Sequence, residues 1–259
     1  MLFLHTTRYR LDAPLAFIFE EEHSHATRHL VHLPALPADL AMFQAARSLI
    51  IVDDEASTGG TFVNLARAFA RPGLERIVCA MLTDWSPPFT ARMPVHTEVI
   101  SLLEGSYHFT PAESLIPPPM PYAIGNDEFK DALLPRNRGR RGLRSSVDWE
   151  GALPDVRPGE RVLVLGTGEF TWLPLRLAER LEAAGIDVWC QATTRSPVLV
   201  GHDIASCVPF PDNYGDDIPN FLYNHAHGQY DRVFLCHETP SALLPPQIVD
   251  ALGATPFEM

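Results

Sequence analysis

The residues that could do chemistry are concentrated in Leu49–Thr61, where two consecutive carboxylates, Asp53 and Asp54, follow a short apolar run. A loop of small residues, Ser57–Thr61, comes next and contains two glycines. Glycines let the backbone approach an anion closely, and free N–H groups at the start of a helix favour a phosphate. The adjacent carboxylates suit the hydroxyls of a sugar or a metal ion. Together these groups describe a site for a ribose 5-phosphate.

The elements that must position these groups follow from the apolar pattern. Leu49–Val52 is rich in β-branched residues and too short for a helix, so it predicts a buried strand, whereas Asn64–Phe69 predicts a helix. The acids and the loop then lie at the carboxyl end of a strand, where parallel α/β sheets bind ligands. Arg76–Leu82 predicts the next parallel strand, which brings Asp84 and Trp85 to the same edge. There they suit contacts to a ligand by hydrogen bonding and stacking; an exposed loop acid and a packed indole are an equally open interpretation.

This stretch resembles the signature of type I phosphoribosyltransferases, which bind phosphoribosyl pyrophosphate (PRPP). The match consists of four apolar residues, two acids and a Thr-Gly-x-Thr loop. The resemblance implies that Asp53 and Asp54 hold the ribose 2- and 3-hydroxyls, and that Mg²⁺ accompanies PRPP. It also implies that the loop cradles the 5-phosphate through Ser57, Thr58, Gly59, Gly60 and Thr61. Ser57 stands where 6-oxopurine enzymes carry an aspartate, which counts against that subclass.

Composition limits the partners and the compartment. The chain has 259 residues, which suits one large or two modest domains, and a formal charge of −12, which argues against nucleic acid as a partner. It contains neither an apolar run of about 18 residues, as a membrane span requires, nor a signal peptide. We therefore expect a cytoplasmic protein, with a homodimer possible. Three of the four dispersed cysteines lie in apolar, strand-like contexts and are predicted to be buried free thiols.

A change in composition predicts the domain boundaries. Met1–His5 and His96–Leu103 are further candidate strands of a first domain, 1–108. Residues 109–158 are rich in proline and arginine and predict a linker or covering segment. The arginines within 136–144 favour solvated linker charges; the alternative is a lid over an anionic ligand. A second domain, 159–259, follows.

The second domain again alternates strands and helices. Arg161–Leu165 predicts a strand, Trp172–Ala184 an amphipathic helix closed by Gly185, and Ile186–Gln191 and Arg232–Cys236 two more strands. The fold class is therefore α/β throughout: a parallel-sheet domain followed by a Rossmann-like α/β domain.

A second group of polar residues follows two of these strands. Gly166 and Gly168 suggest a dinucleotide turn, but Thr171 fills the third glycine position and no acid ends the next strand, so an NAD site is disfavoured. The pattern instead predicts a second anion site. Its candidate residues are Gly166, Gly168, Thr193, Thr194, Arg195 and Ser196. Helix capping and loop stabilisation are the equally open alternative.

The second domain resembles the TRSP domain. The motif Thr194–Pro197 carries the resemblance, with Gly166–Glu169 before it and Tyr223–Asn224 after it. TRSP domains follow phosphoribosyltransferases of a bacterial subfamily, which also matches in His5–Arg8, Glu22–His25 and Leu82–Trp85. The resemblance implies a pentosyltransferase in tellurium-resistance and stress-response gene clusters, making a nucleoside-like or other ribosylated small molecule.

The position of the signature raises a question about turnover. In the broader family the PRPP strand is preceded by strands that carry a pyrophosphate-binding loop, whereas here only 48 residues come before it. The first domain is therefore predicted to be incomplete at its N-terminus. Three explanations stay open: a late start codon or fragment of an active enzyme, a natural short form that senses PRPP without turnover, and a second domain that is the active unit.

The residues before the signature could form an arm over PRPP. Arg8, Arg10 and Glu20–His25 are the candidates, with Arg8 a possible lid or acceptor contact. His23 and His25 could bind a metal, but two histidines without further ligands favour a solvent-facing or structural role.

Overall fold

The computed structural model describes residues 1–20, 28–110, 140–215 and 218–259. The chain forms two compact units, which we call unit 1 and unit 2. The described part of unit 1 comprises residues 1–8, 13–20, 28–110 and 140–145; that of unit 2 comprises residues 9–12, 146–215 and 218–259.

Unit 1 contains a three-stranded parallel sheet, an antiparallel hairpin and two helices. The hairpin strands are β1 (Leu15–Glu20) and β2 (Arg28–His32), and helix α1 (Pro37–Ala45) follows them. The parallel sheet has the order β3-β4-β5 and consists of β3 (Ser48–Ala56), β4 (Arg76–Asp84) and β5 (His96–Glu104), with helix α2 (Gly60–Phe69) between β3 and β4. The predicted strand–helix–strand order is therefore confirmed.

Among the described residues, one face of this sheet packs into the core and the other does not. Ile51 of β3 and Ile77 of β4 are buried together with Phe62 of α2, because alternate strand residues face the helix. The opposite face carries Val52, 76% exposed, and Leu102, 83% exposed. Parallel sheets are normally covered on both faces. In the described part of the chain this apolar face has no cover.

The turn into α2 depends on a glycine. Gly59 has a φ of 71°, in the left-handed region that side chains with a Cβ disfavour. A Cβ at this position would also overlap the Phe89 ring, which is buried and stacks on Phe62 with 5.8 Å between ring centroids. The chain therefore turns from strand to helix where a bulky aromatic ring fits directly against the backbone.

Part of the arginine-rich segment packs as part of unit 1. Arg140 is 3% exposed, and Arg141 donates from Nε to the backbone oxygen of Leu33 at 3.1 Å. Arg144 is exposed and forms an ion pair with the buried carboxylate of Asp39 on α1. The prediction of solvated charges is therefore wrong for Arg140. Residues 111–139 lie outside the described residues.

Unit 2 is built on a four-stranded parallel sheet with the order β11-β10-β6-β7. Its strands are β6 (Arg161–Gly166), β7 (Asp187–Ala192), β10 (Arg232–His237) and β11 (Thr255–Glu258). The helices are α3 (Trp172–Ala183) and α4 (Pro246–Leu252), and an antiparallel pair adds β8 (Cys207–Pro211) and β9 (Pro219–Tyr223).

This second sheet is covered on both faces. Val162 and Val164 of β6 pack with α3, whereas Leu163 and Leu165 pack with α4 and Phe210 of β8. A strand buried on both faces has no polar alternation. That explains the continuous apolar run that predicts β6 from sequence.

Two sequence predictions differ from the structure. Met1–His5 forms no regular strand; Phe3 alone makes an isolated bridge, to Leu143. All four cysteines are free, but Cys190 is exposed, because it lies on β7 at the edge of the sheet. In the part of the chain that the structure describes, no helix is long and apolar enough to span a membrane.

The Gly59 turn predicts that alanine substitutions at two glycines of unit 1 lower the free energy of unfolding by different amounts. Gly73 also has a positive φ, 92°, but a Cβ there would meet no atom within 4 Å. We expect Gly73→Ala to lower the free energy of unfolding by about 1–2 kcal/mol, the cost of the left-handed backbone. Gly59→Ala should cost about 3 kcal/mol because the overlap with Phe89 adds to it. Urea denaturation measures both, and equal losses would contradict the role of Phe89.

Candidate functional site

The two acids of the signature lie within strand β3. β3 is longer than its apolar run because parallel pairing continues to Glu55 opposite Thr83 and Ala56 opposite Asp84. Successive residues of a strand face opposite sides. Asp53 is accordingly half-buried and Asp54 exposed, and Asp53 Oδ1 accepts a hydrogen bond from the backbone N–H of Asp54 at 3.1 Å. The two carboxylates therefore approach the strand end from different sides.

The loop after β3 presents backbone donors at the start of α2. Gly60 donates its N–H to Thr58 Oγ1 at 3.2 Å, and Ser57 and Thr58 are exposed. The N-cap residue of this ten-residue helix is Gly59, which has no side chain to cap it. N–H groups at a helix start carry partial positive charge. The loop is thus able to receive an anion.

Arg92 braces this loop, and sequence reasoning missed it. Its Nη2 donates to the backbone oxygen of Thr58 at 2.7 Å, and its own backbone oxygen accepts from Arg67 Nη2 at 3.2 Å. Arg92 closes a short 3₁₀ helix, Thr90–Arg92, in the connection between β4 and β5. An isolated arginine in a connection gives no signal of this contact in the sequence.

Asp84 and Trp85 lie beside the loop, as the strand order predicts. The N–H of Trp85 donates to the backbone oxygen of Ala56 at 2.8 Å, which ties the two strand ends together. Asp84 Oδ1 accepts from the N–H and the hydroxyl of Ser86 at 2.9 and 2.6 Å. The Trp85 ring packs against Gly105. Asp84 therefore stabilises its own turn, the Trp85 ring packs against the end of β5, and contacts of either side chain to a ligand or acceptor stay a prediction.

The remaining candidate residues of the first domain are Arg8 and the two histidines. Arg8 follows Thr7, whose backbone pairs with Leu30 in the hairpin of unit 1. His23 and His25 lie outside the described residues. Within the described ranges, no group of three or more His, Cys, Asp or Glu side chains could hold a metal ion.

The residues present do fit a Mg²⁺ ion that arrives with a phosphorylated substrate. Mg²⁺ prefers oxygen ligands and is usually held by one or two carboxylates together with substrate phosphates. Asp53 and Asp54 offer two carboxylates next to the loop that could receive the phosphate. The donor set therefore suits a substrate-bound ion rather than a cage made of protein side chains alone.

In unit 2, two adjacent strands bring the second group of candidates to one edge. Gly166 ends β6, and Thr193 follows β7, the neighbouring strand. Thr193 Oγ1 accepts the N–H of Gly168 at 2.8 Å, and Thr194 Oγ1 accepts the N–H of Ser196 at 3.1 Å. Thr193 thus joins the two loops, whereas Thr194 stabilises its own loop.

Arg195 is directed into the protein rather than toward solvent. Its side chain is 10% exposed, its Nη2 lies 3.7 Å from Asp212 Oδ2, and its guanidinium lies over the ring of Tyr9, 4.8 Å from the centroid. Burial lowers the pKa of Arg195, but Tyr9, Asp212 and Glu169 raise it by more, so the guanidinium stays charged. Its charge faces an internal carboxylate, which favours the loop-stabilising alternative over an open anion site.

The other residues of the TRSP resemblance form one local network. The hydroxyl of Tyr223 donates to the backbone oxygen of Ser196 at 2.8 Å and accepts the N–H of Val198 at 2.6 Å. Asn224, with a φ of 57°, accepts the N–H of Ala205 at 2.7 Å through Oδ1. The motif and the Tyr-Asn pair thus form a connected surface around β9.

Sequence reasoning missed the partners of Arg195, Tyr9 and Asp212, and the polar residues connected with them. All of these are buried: Tyr9, Asp212, Asn213, Tyr214 and Glu238. They come from three separated parts of the sequence, so no local spacing connects them. The polar run Asp212–Tyr214 between two strands was the one available signal.

Comparisons with known families agree with this division of the chain. A family described as phosphoribosyl transferase matches residues 1–106. A family described as the TRSP domain C-terminal to that transferase domain matches residues 138–252. Comparisons with curated proteins and with solved structures find no match. The chain is therefore similar, in this order, to a phosphoribosyl transferase domain and to the TRSP domain that follows it.

Proposed function

We propose that unit 1 binds PRPP at the end of β3 and transfers its ribose 5-phosphate to a small acceptor. One observation carries the proposal: Asp53 and Asp54 lie near the end of β3, just before the loop that leads into helix α2. Carboxylates suit the ribose hydroxyls, and N–H groups of the Ser57–Thr61 loop suit the 5-phosphate. A phosphorylated sugar carries both the hydroxyls and the phosphate.

The chemistry required of such a site is mostly electrostatic. The bond between ribose C1 and pyrophosphate breaks, a bond from C1 to the acceptor forms, and the sugar is cation-like in between. Asp53 and Asp54 would orient the ribose, while the braced loop would hold its phosphate in place. Mg²⁺, when bound, would neutralise the pyrophosphate. Asp84, Trp85 and Arg8 are the proposed contacts to the acceptor or to a covering arm.

The acceptor and the setting follow from the family resemblance alone. We propose that the product is a nucleoside-like or other ribosylated small molecule, made in the cytoplasm in connection with stress or tellurium resistance. The alternative is a protein that binds PRPP without turnover, as a sensor or scaffold. Release of pyrophosphate with a candidate acceptor distinguishes the two, since a sensor binds PRPP but releases none.

Removal of the two carboxylate charges tests binding. We expect Asp53→Asn combined with Asp54→Asn to weaken PRPP binding by about a hundredfold in the presence of Mg²⁺, because two charge-assisted hydrogen bonds are lost. Isothermal titration measures the affinity. The single variants show which side of the strand holds the ribose, because the two side chains face opposite sides. Equal affinity in wild type and the double variant would remove the basis of the proposal.

Loss of the loop brace gives a second test. We expect Arg92→Ala to weaken PRPP binding by about tenfold, because Thr58 loses the 2.7 Å hydrogen bond that holds the loop. Arg76→Ala is the matched control: Arg76 lies at the opposite end of β4, paired with Glu98, and its removal should leave PRPP affinity unchanged. Similar effects of both variants would indicate general destabilisation instead of loop positioning.

A further inference from the structure

The carboxyl edge of the sheet in unit 2 encloses an aromatic ring. Tyr9 is 3% exposed and stacks on Tyr214 with ring centroids 3.6 Å apart and planes 16° apart. A contact that close and that parallel fills one face of the Tyr9 ring. Arg195, 4.8 Å from the centroid, therefore covers the other face. We call this space between Tyr214 and Arg195 the ring seat.

The walls of the ring seat are buried and polar. The hydroxyl of Tyr214 donates to Glu238 Oε1 at 3.1 Å, and Asn213 Nδ2 donates to Thr239 Oγ1 at 2.8 Å. Asp212 faces Arg195 from the same loop. Buried ion pairs and polar clusters are often less stabilising than apolar side chains of equal volume. Stability alone therefore does not explain why this edge is polar.

Gly168 gives the seat room for a polar substituent on the ring. It has a φ of 54°, and a Cβ there would lie 2.8 Å from the hydroxyl oxygen of Tyr9. A side chain at this position would overlap the hydroxyl group of Tyr9. Because residue 168 is a glycine, the backbone of the turn after β6 can lie close to that hydroxyl group.

We propose that the ring seat, formed by Tyr214, Arg195 and Gly168, is a binding site for a planar heteroaromatic ring such as a nucleobase, with Tyr9 as its intramolecular occupant. Stacking on Tyr214 and a cation over the ring are the interactions by which proteins hold such rings. The seat lies at the carboxyl ends of adjacent parallel strands, where α/β folds bind ligands. The proposal does not depend on PRPP binding in unit 1.

The charges around the seat select the kind of ring. Burial is the largest cause that raises the pKa of Tyr9; Arg195 lowers this pKa, and Glu169 and Asp212 raise it, so the hydroxyl stays protonated. A neutral ring suits this buried space, and N–H donors on it suit the two carboxylates. Adenosine is therefore the appropriate probe: its base is neutral and carries an amino group, and it lacks the 5-phosphate that the loop of unit 1 would hold.

Removal of the occupant tests the proposal. A ligand must compete with Tyr9, so its apparent affinity is reduced by the fraction of molecules in which the seat is closed. We expect Tyr9→Ala to bind adenosine about tenfold or more tightly than wild type in isothermal titration. Tyr9→Phe is the matched control, because it keeps the ring and should bind as weakly as wild type.

Further variants locate the binding. Adding Tyr214→Ala to Tyr9→Ala should abolish the gain, and adding Asp53→Asn should not change it, since that residue belongs to unit 1. Ribose 5-phosphate should not bind to the Tyr9→Ala seat. A folded Tyr9→Ala protein that binds no adenosine at millimolar concentration would overturn the proposal. So would a gain in affinity for ribose 5-phosphate, from wild type to Tyr9→Ala, that equals the gain for adenosine, because a phosphate or sugar site in the seat would explain it.

A measurement on the wild-type protein decides the matter if Tyr9→Ala does not fold. Adenosine that enters the seat must displace Tyr9, so amide hydrogen exchange of residues 9–12 should become faster when adenosine is added. Tyr9→Phe should show the same change. Exchange that stays unaltered at millimolar adenosine would mean that Tyr9 is a permanent part of the core, and the proposal would be wrong.

Discussion

The in-register parallel pairing of neighbouring strands is the constraint on which both candidate sites depend. β3 pairs with β4 from Ser48 opposite Arg76 to Ala56 opposite Asp84, so the two strands end together. The hydrogen bond from Trp85 to Ala56 continues that pairing past the strands. A shift in this register would separate the signature loop from the next strand end. The positions of the candidate site residues in unit 1 thus depend on the backbone hydrogen bonds between β3 and β4.

The two sheets use the same edge in opposite ways. In unit 1 the loop is exposed, its glycine turn is fixed by Phe89, and Arg92 holds it from outside. In unit 2 the equivalent edge is buried, and its cation is already opposite Asp212 and Tyr9. Exposed donors can bind a ligand at little cost, whereas buried ones must first exchange an internal partner. This contrast supports the proposals of an open ligand site in unit 1 and of a site filled by Tyr9 in unit 2.

The sequence predicts strands best where burial leaves a plain pattern. The predicted bounds of β6 and α3 are correct to within a residue. A strand buried on both faces gives a continuous apolar run, whereas a helix buried on one side gives an amphipathic pattern, so the two are easily distinguished. Arg140 is buried although its charge predicts exposure to solvent. Cys190 is exposed although its apolar neighbours predict burial, because an edge strand exposes residues that a central strand buries.

The sequence by itself determined the α/β class, the resemblance to a phosphoribosyltransferase followed by a TRSP domain, and the stretch from Asp53 to Thr61 that resembles the PRPP signature. These are properties of contiguous residues with fixed spacing. Only the tertiary structure decided that Arg92 holds the loop and that Tyr9, Arg195 and Tyr214 form one cluster. These partners come from distant positions in the chain. Their meeting is set by strand order and packing, which local periodicity does not encode.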